Sequence, residues 1–136
     1  ALNYTSLGQP HLAYYVPGGG VQFAKPSQTT FGKSWGFAVL DSSTFGGDYL
    51  DAVIDYASRD RISFYDAVSG DLKLVKFNQK RQSFDQAFTA DGGGKSNDRV
   101  GEYSSVGINS YGQTVICYYN ITKGRLQFYI EPYNPN

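Results

Sequence analysis

Ile62-Ser63-Phe64-Tyr65-Asp66-Ala67-Val68-Ser69-Gly70-Asp71-Leu72 returns fifty-four positions later as Ile116-Cys117-Tyr118-Tyr119-Asn120-Ile121-Thr122-Lys123-Gly124-Arg125-Leu126. The register extends toward the N-terminus without a gap. Gly47-Asp48-Tyr49 falls on Gly101-Glu102-Tyr103, Ile54 on Ile108 and Asp55 on Asn109. A shortened copy opens the chain: Gly8-Gln9 matches Gly112-Gln113, Leu12-Ala13-Tyr14-Tyr15 matches Ile116-Cys117-Tyr118-Tyr119, and Val21-Gln22-Phe23 matches Leu126-Gln127-Phe128. In it Tyr4-Thr5-Ser6-Leu7 is set against Tyr103-Ser104-Ser105-Val106, with about four residues missing before the glycine. The sequence therefore holds about two and a half copies of a roughly fifty-residue unit, at about 4–30, 47–77 and 101–131, in one domain spanning 1–136.

Each unit reads as strand, turn, strand, turn, strand. In the last copy the strands are expected at Tyr103 to Asn109, Thr114 to Tyr119 and Arg125 to Ile130. Gly20, Gly70 and Gly124 precede the third strand, where a hairpin needs a positive φ that a Cβ would penalise. Successive side chains of a strand face opposite sides of its sheet. One side of the middle strand carries Leu12, Ile62 and Ile116 with Tyr14, Phe64 and Tyr118; the other carries Ala13, Ser63 and Cys117 with Tyr15, Tyr65 and Tyr119. Both sides are largely apolar or aromatic, as in a sheet stacked between neighbouring sheets. The expected fold is all-β, with propeller-like blades of antiparallel sheet; a compact β-sandwich is the rival. Between the copies, Ser34 to Leu40 reads as an extra strand. The polar stretch from Phe77 to Val100, with Asp91 to Asp98 inside it, reads as a flexible loop.

These phrases resemble the propeller repeats of secreted bacterial proteins, whose unit reads approximately Gly-x-Tyr-x-Ser, then Gly-x-Pro-His-Ile-Ala-Tyr-Tyr-Asp, then Gly-Asp-Leu-Lys. Here the matching residues are Gly101 to Ser105, Gly8 to Tyr15 and Gly70 to Lys73. The resemblance implies a fold that hosts many functions. A more distant similarity is to the six-bladed fucose-binding lectins. Their sugar site uses an Arg whose position here is taken by Ser63 or Cys117. Fucose binding is therefore not implied, but the similarity does imply that chains of two or three blades can associate into a closed ring.

Composition narrows the function. Twelve Lys and Arg balance twelve Asp and Glu, so neither nucleic acid nor an anionic membrane is an expected partner. No apolar run is long enough to span a bilayer. The chain contains no Met, and Ala1 is read as the residue left after a leader is processed. Tyrosine-rich sheets and the sequons at Asn3 and Asn120 fit an extracellular protein, secreted or on a cell surface, with those two asparagines as candidate glycosylation sites.

Catalysis is not expected. His11 is the only histidine and occupies a slot held elsewhere by Arg61 and Val115. The lone Cys117 reads as a buried, inert thiol. Of the aspartates in the second copy, Asp55, Asp66 and Asp71 fall at turns, where such residues cap their own backbone. No metal and no cofactor are expected. The ligand-binding candidates are the aromatics Trp35, Tyr15, Tyr65 and Tyr119, whose faces suit sugar rings. The expectation is a non-enzymatic, lectin-like extracellular module that recognises a glycan or cell-surface ligand and pairs with its own copies or with a neighbour that completes a strand. The alternative is a structural subunit of an extracellular filament or surface assembly.

Overall fold

The computed structural model describes residues 1–27, 34–42, 46–93 and 97–133. Its strands are β1 (Leu2–Tyr4), β2 (Pro10–Val16), β3 (Gly20–Pro26), β4 (Trp35–Asp41), β5 (Gly46–Ile54), β6 (Asp60–Asp66), β7 (Asp71–Asn78), β8 (Ser83–Phe84), β9 (Phe88–Asp91), β10 (Val100–Ile108), β11 (Thr114–Asn120) and β12 (Arg125–Ile130). They form three antiparallel sheets. Sheet 1 runs β1-β2-β3-β4, sheet 2 runs β5-β6-β7 with β8 and β9 both pairing β7, and sheet 3 runs β10-β11-β12. No helix occurs among the described residues, so none is long and apolar enough to cross a membrane.

The repeat has a backbone cause in its two turns. At the first, Asp55 Oδ1 accepts from the N–H groups of Ala57 and Arg59, and Asn109 Oδ1 accepts from those of Tyr111 and Gln113. At the second, Asp66 and Asn120 accept from the N–H groups of Val68 and Lys123. Short polar side chains at these points replace the hydrogen bonds that the chain loses on leaving the ladder. Gly20, Gly70 and Gly124 take φ of +73°, +77° and +62°, as the sequence requires.

The first copy is corrected by the same geometry. Thr5 and Gln9 exchange the turn hydrogen bond that Asp55 makes with Arg59 and Asn109 with Gln113. Tyr4 to Leu7 thus lie on Ile108 to Tyr111, not on Tyr103 to Val106, and nothing is missing before Gly8. The polar stretch after Phe77 also differs from expectation. It supplies β8 and β9, and β9 pairs with β7 through Leu74–Phe88 and Lys73–Thr89. Residues 94–96 of the expected loop lie outside the described residues.

Packing is serial. Ala13, Val21 and Phe23 of sheet 1 form one cluster with Ile62, Phe64 and Val75 of sheet 2. Leu72 and Leu74 on the far side of sheet 2 form another with Val100, Val106, Ile116 and Tyr118 of sheet 3. Sheet 2 is covered on both sides, and every residue of β6 is buried. Truncating a side chain such as Leu74 or Ile116 would remove transfer energy and leave a cavity, costing about 2–5 kcal/mol. At the sheet 2–sheet 3 boundary Ser104 Oγ donates to the Tyr49 carbonyl (2.7 Å) and accepts from Ser63 Oγ (3.0 Å).

Candidate functional site

Arg61 is the one cation of β6, and it points from that strand toward sheet 3. Only 7% exposed, it needs compensation. Its Nη1 donates to Thr114 Oγ1 (2.7 Å) and to Glu131 Oε2 (2.8 Å), and its Nη2 donates to Asp55 Oδ2 (3.1 Å). Its Nε is buried without a partner among the described residues. Glu131, just past β12, also receives the Lys76 ammonium and the Thr114 hydroxyl. Two carboxylates from different sheets thus hold one guanidinium across the boundary.

Burial alone would raise the pKa values of both carboxyls. For Glu131, hydrogen bonds from Lys76 and Thr114 and the charges of Lys76 and Arg61 outweigh it; the net shift is downward. For Asp55, the Arg59 backbone and the Arg61 and Arg59 side chains do the same. Such a pair is costly to break, because the remaining partner is left as a buried charge.

This network floors a groove of about 490 Å³ between sheets 2 and 3. Phe77, Asn78 and Lys80 line one wall; Tyr111, Gly112 and Gln113 line the other. The Asn109 turn presents Tyr111 at its tip, 74% exposed, with its ring 6.3 Å edge-on from that of Tyr133. Asn78 Nδ2 donates to Asp85 Oδ1 (3.0 Å), and Gln113 Nε2 donates to the Glu131 carbonyl (2.8 Å). Arg59, Arg61 and Lys76 are taken up by Asp55 and Glu131. The groove therefore offers donors, acceptors and aromatic edges, with Lys80 and Asp85 beside the paired charges.

The residues expected to bind ligand are not brought together. Tyr15, Tyr65 and Tyr119 occupy the same slot on three different sheets. Tyr65 is 2% exposed, and its hydroxyl accepts from Arg99 Nε and Nη2 (3.1 and 3.0 Å). Its ring face is closed to a ligand. Tyr15 and Tyr119 are half-buried. Trp35 is 39% exposed but pairs with Pro26, at the opposite end of sheet 1 from Tyr15, which pairs with Val21. None of the four lines the groove.

Asn3 donates through Nδ2 to the Ala52 carbonyl (2.7 Å). Asn120 is 1% exposed and donates to Asp98 and Gln127. A glycan on Asn120 would displace both bonds, so the fold closes that sequon. Cys117 is exposed rather than buried, on the face of sheet 3 turned away from sheet 2. His11 is buried, with Nδ1 2.9 Å from Asp60 and its ring against Phe23.

The groove residues were signalled in the sequence only by Arg61. It stands where the other copies carry His11 and Val115, and a lone cation in a buried strand demands carboxylates; Asp55 is near in sequence, whereas Glu131 comes from the far end of the chain. A second cluster was visible only as an alignment anchor. Tyr49 and Tyr103, one repeat apart, take φ of +52° and +54°, and their rings lie 4.5 Å apart, tilted by 47°. A hydrogen bond with Tyr103 and then the charge of Glu102 push the Tyr49 hydroxyl pKa upward.

No family model and no curated protein matches this sequence. Among solved structures the fold is similar to that of a fucose lectin from Kordia zhangzhouensis, determined in complex with methyl-fucoside. The match has a TM-score of 0.56 at 14% identity and covers 98% of this chain and 97% of that one. At that identity the likeness speaks to the fold.

Proposed function

We propose that this chain is a lectin-like, non-enzymatic binding module of propeller type, working outside the cell, that takes a saccharide in the groove between sheets 2 and 3. The observation that carries the reading is the chemistry of the groove. Sugar hydroxyls both donate and accept, and sugar rings carry apolar faces. Asn78, Gln113 and Lys80 offer donors, Asp85 and backbone carbonyls offer acceptors, and Tyr111 offers an exposed aromatic face. The propeller reading is supported by serial packing with a middle sheet buried on both sides, and by the likeness to a lectin. Fucose itself is not carried over, because Ser63 and Cys117 stand where that family has its arginine.

A glycan array tests the proposal. Binding to a defined set of neutral glycans is expected, weakened roughly three- to tenfold by Tyr111→Ala, the loss expected for one aromatic contact. Absence of any glycan binding, or full retention by Tyr111→Ala and Asn78→Ala alike, would overturn it.

A further inference from the structure

Gly47-Asp48-Tyr49 and Gly101-Glu102-Tyr103 stand at the same point of two copies, and each builds a bulge. The pairing of β5 with β6 shifts register across residues 46–51, and that of β10 with β11 across 100–105. Gly47 and Gly101 enter the bulges at φ of +105° and +112°, and the tyrosines leave them at +52° and +54°. Tyrosine is strained in that conformation, and a bulge re-aims the side chains beside it. Both are aimed at one place: the ring centroids of Tyr49 and Tyr103 lie 4.5 Å apart, and their hydroxyls share a hydrogen bond. The backbone holds this approach, because Ser104 Oγ donates to the Tyr49 carbonyl (2.7 Å) and Asp51 Oδ2 accepts from the Val106 N–H (2.9 Å). Tyr49 is 40% exposed and Tyr103 66%, so a reagent in solution reaches both.

We propose that Tyr49 and Tyr103 form a modification site, at which a one-electron oxidant of the peroxidase class, driven by hydrogen peroxide, joins the two rings in a bityrosine bridge. Each phenol gives up one electron and its hydroxyl proton. The two radicals then form a bond between Cε carbons, the ring positions next to the hydroxyls, and the hydrogens displaced from those carbons restore the two hydroxyls. The protein loses two hydrogen atoms in all, and one peroxide is reduced to two waters. The hydrogen bond between the hydroxyls draws these Cε carbons together, and the carboxylates of Glu102 and Asp48, whose charges act on Tyr49, offer acceptors for the protons. Other ring pairs are less suited. Tyr65, 6.3 Å from Tyr49, is 2% exposed, and Tyr111 and Tyr133 meet edge-on at 6.3 Å. The bridge ties sheet 2 to sheet 3, and the long loop that it closes from residue 49 to residue 103 removes conformations from the unfolded chain. Neither tyrosine lines the groove, so the bridge does not depend on what the groove binds.

Treatment of the dilute chain with a peroxidase and hydrogen peroxide tests the site. The sequence holds no Met to compete for oxidant, and Cys117→Ser removes the exposed thiol. The expected product is a single chain lighter by two hydrogen atoms, with bityrosine fluorescence, that yields on proteolysis a peptide pair joined at Tyr49 and Tyr103. Tyr49→Phe and, separately, Tyr103→Phe keep the ring packing and are expected to abolish that product, whereas Tyr111→Phe leaves it unchanged. The bridged chain is expected to unfold at a higher urea concentration than the untreated one, a rise that treated Tyr103→Phe does not show. Coupling only between chains, an internal bridge at another tyrosine pair, a yield indifferent to Tyr49→Phe, or a bridged chain no more resistant to urea would each overturn the inference.

Discussion

Ser58 takes a φ of +58° at the turn position that Gly8 and Gly112 fill at +74° and +75°. A residue with a Cβ is strained there, so Ser58→Gly should stabilise the fold by about 0.5–1 kcal/mol, net of the added freedom of the unfolded chain. For a domain of this size that is about 2–4 °C in melting temperature, read by differential scanning calorimetry. Two other glycines separate conformation from space. Gly18 and Gly20 have nearly the same φ, but a Cβ on Gly18 meets nothing, whereas one on Gly20 would fall on the Asp41 carbonyl. Gly18→Ala should cost about 1 kcal/mol and Gly20→Ala at least about twice that, measured by urea unfolding. The hairpin glycines were legible in the sequence because a turn imposes its demand locally. The exposure of Cys117 was not, since the face it occupies is covered or bare according to what lies beyond it.

Strands of the two matching copies were legible because alternation and turn residues agree. β9 escaped notice because Phe88-Thr89-Ala90-Asp91 is short and mixed, and it is held by pairing with β7 rather than by its own pattern. The register of β1 was misread because Tyr matched Tyr in the sequence, whereas the hydrogen-bonded turn at Thr5 decides the alignment. The element joining sheets 2 and 3 is the Asp55–Arg61–Glu131 bridge, and it fixes a pH dependence. Both carboxyls have folded pKa values below their ordinary ones. The stability they contribute is fully present above about pH 5, and it is lost as pH falls below about 4 through the depressed values. Melting temperatures measured from pH 7 to 3 should show this fall. Glu131→Gln should lower the plateau by about 3–5 kcal/mol, the cost of breaking a buried pair, and flatten the acid limb.

At the scale of the whole molecule, the two apolar faces read in the middle strand meet cover on both sides only in β6, whereas β11, with the same pattern, leaves Cys117 exposed. The groove was not legible in the sequence, because residues 55–61, 76–80, 109–113 and 131 meet only after the sheets stack. No spacing rule joins four such segments. Aromatics chosen for their chemistry alone fell on three different sheets, and one of them, Tyr65, spends its ring on packing. The central claim, that the groove between sheets 2 and 3 receives a saccharide, is tested most directly by amide chemical shifts during titration with a panel of methyl glycosides. At least one neutral glycoside is expected to shift the amides of Tyr111, Gly112, Gln113 and Asn78 together, with the rest of the spectrum unmoved. Shifts that gather instead around Trp35 and Tyr15, or no shift with any glycoside, would contradict it.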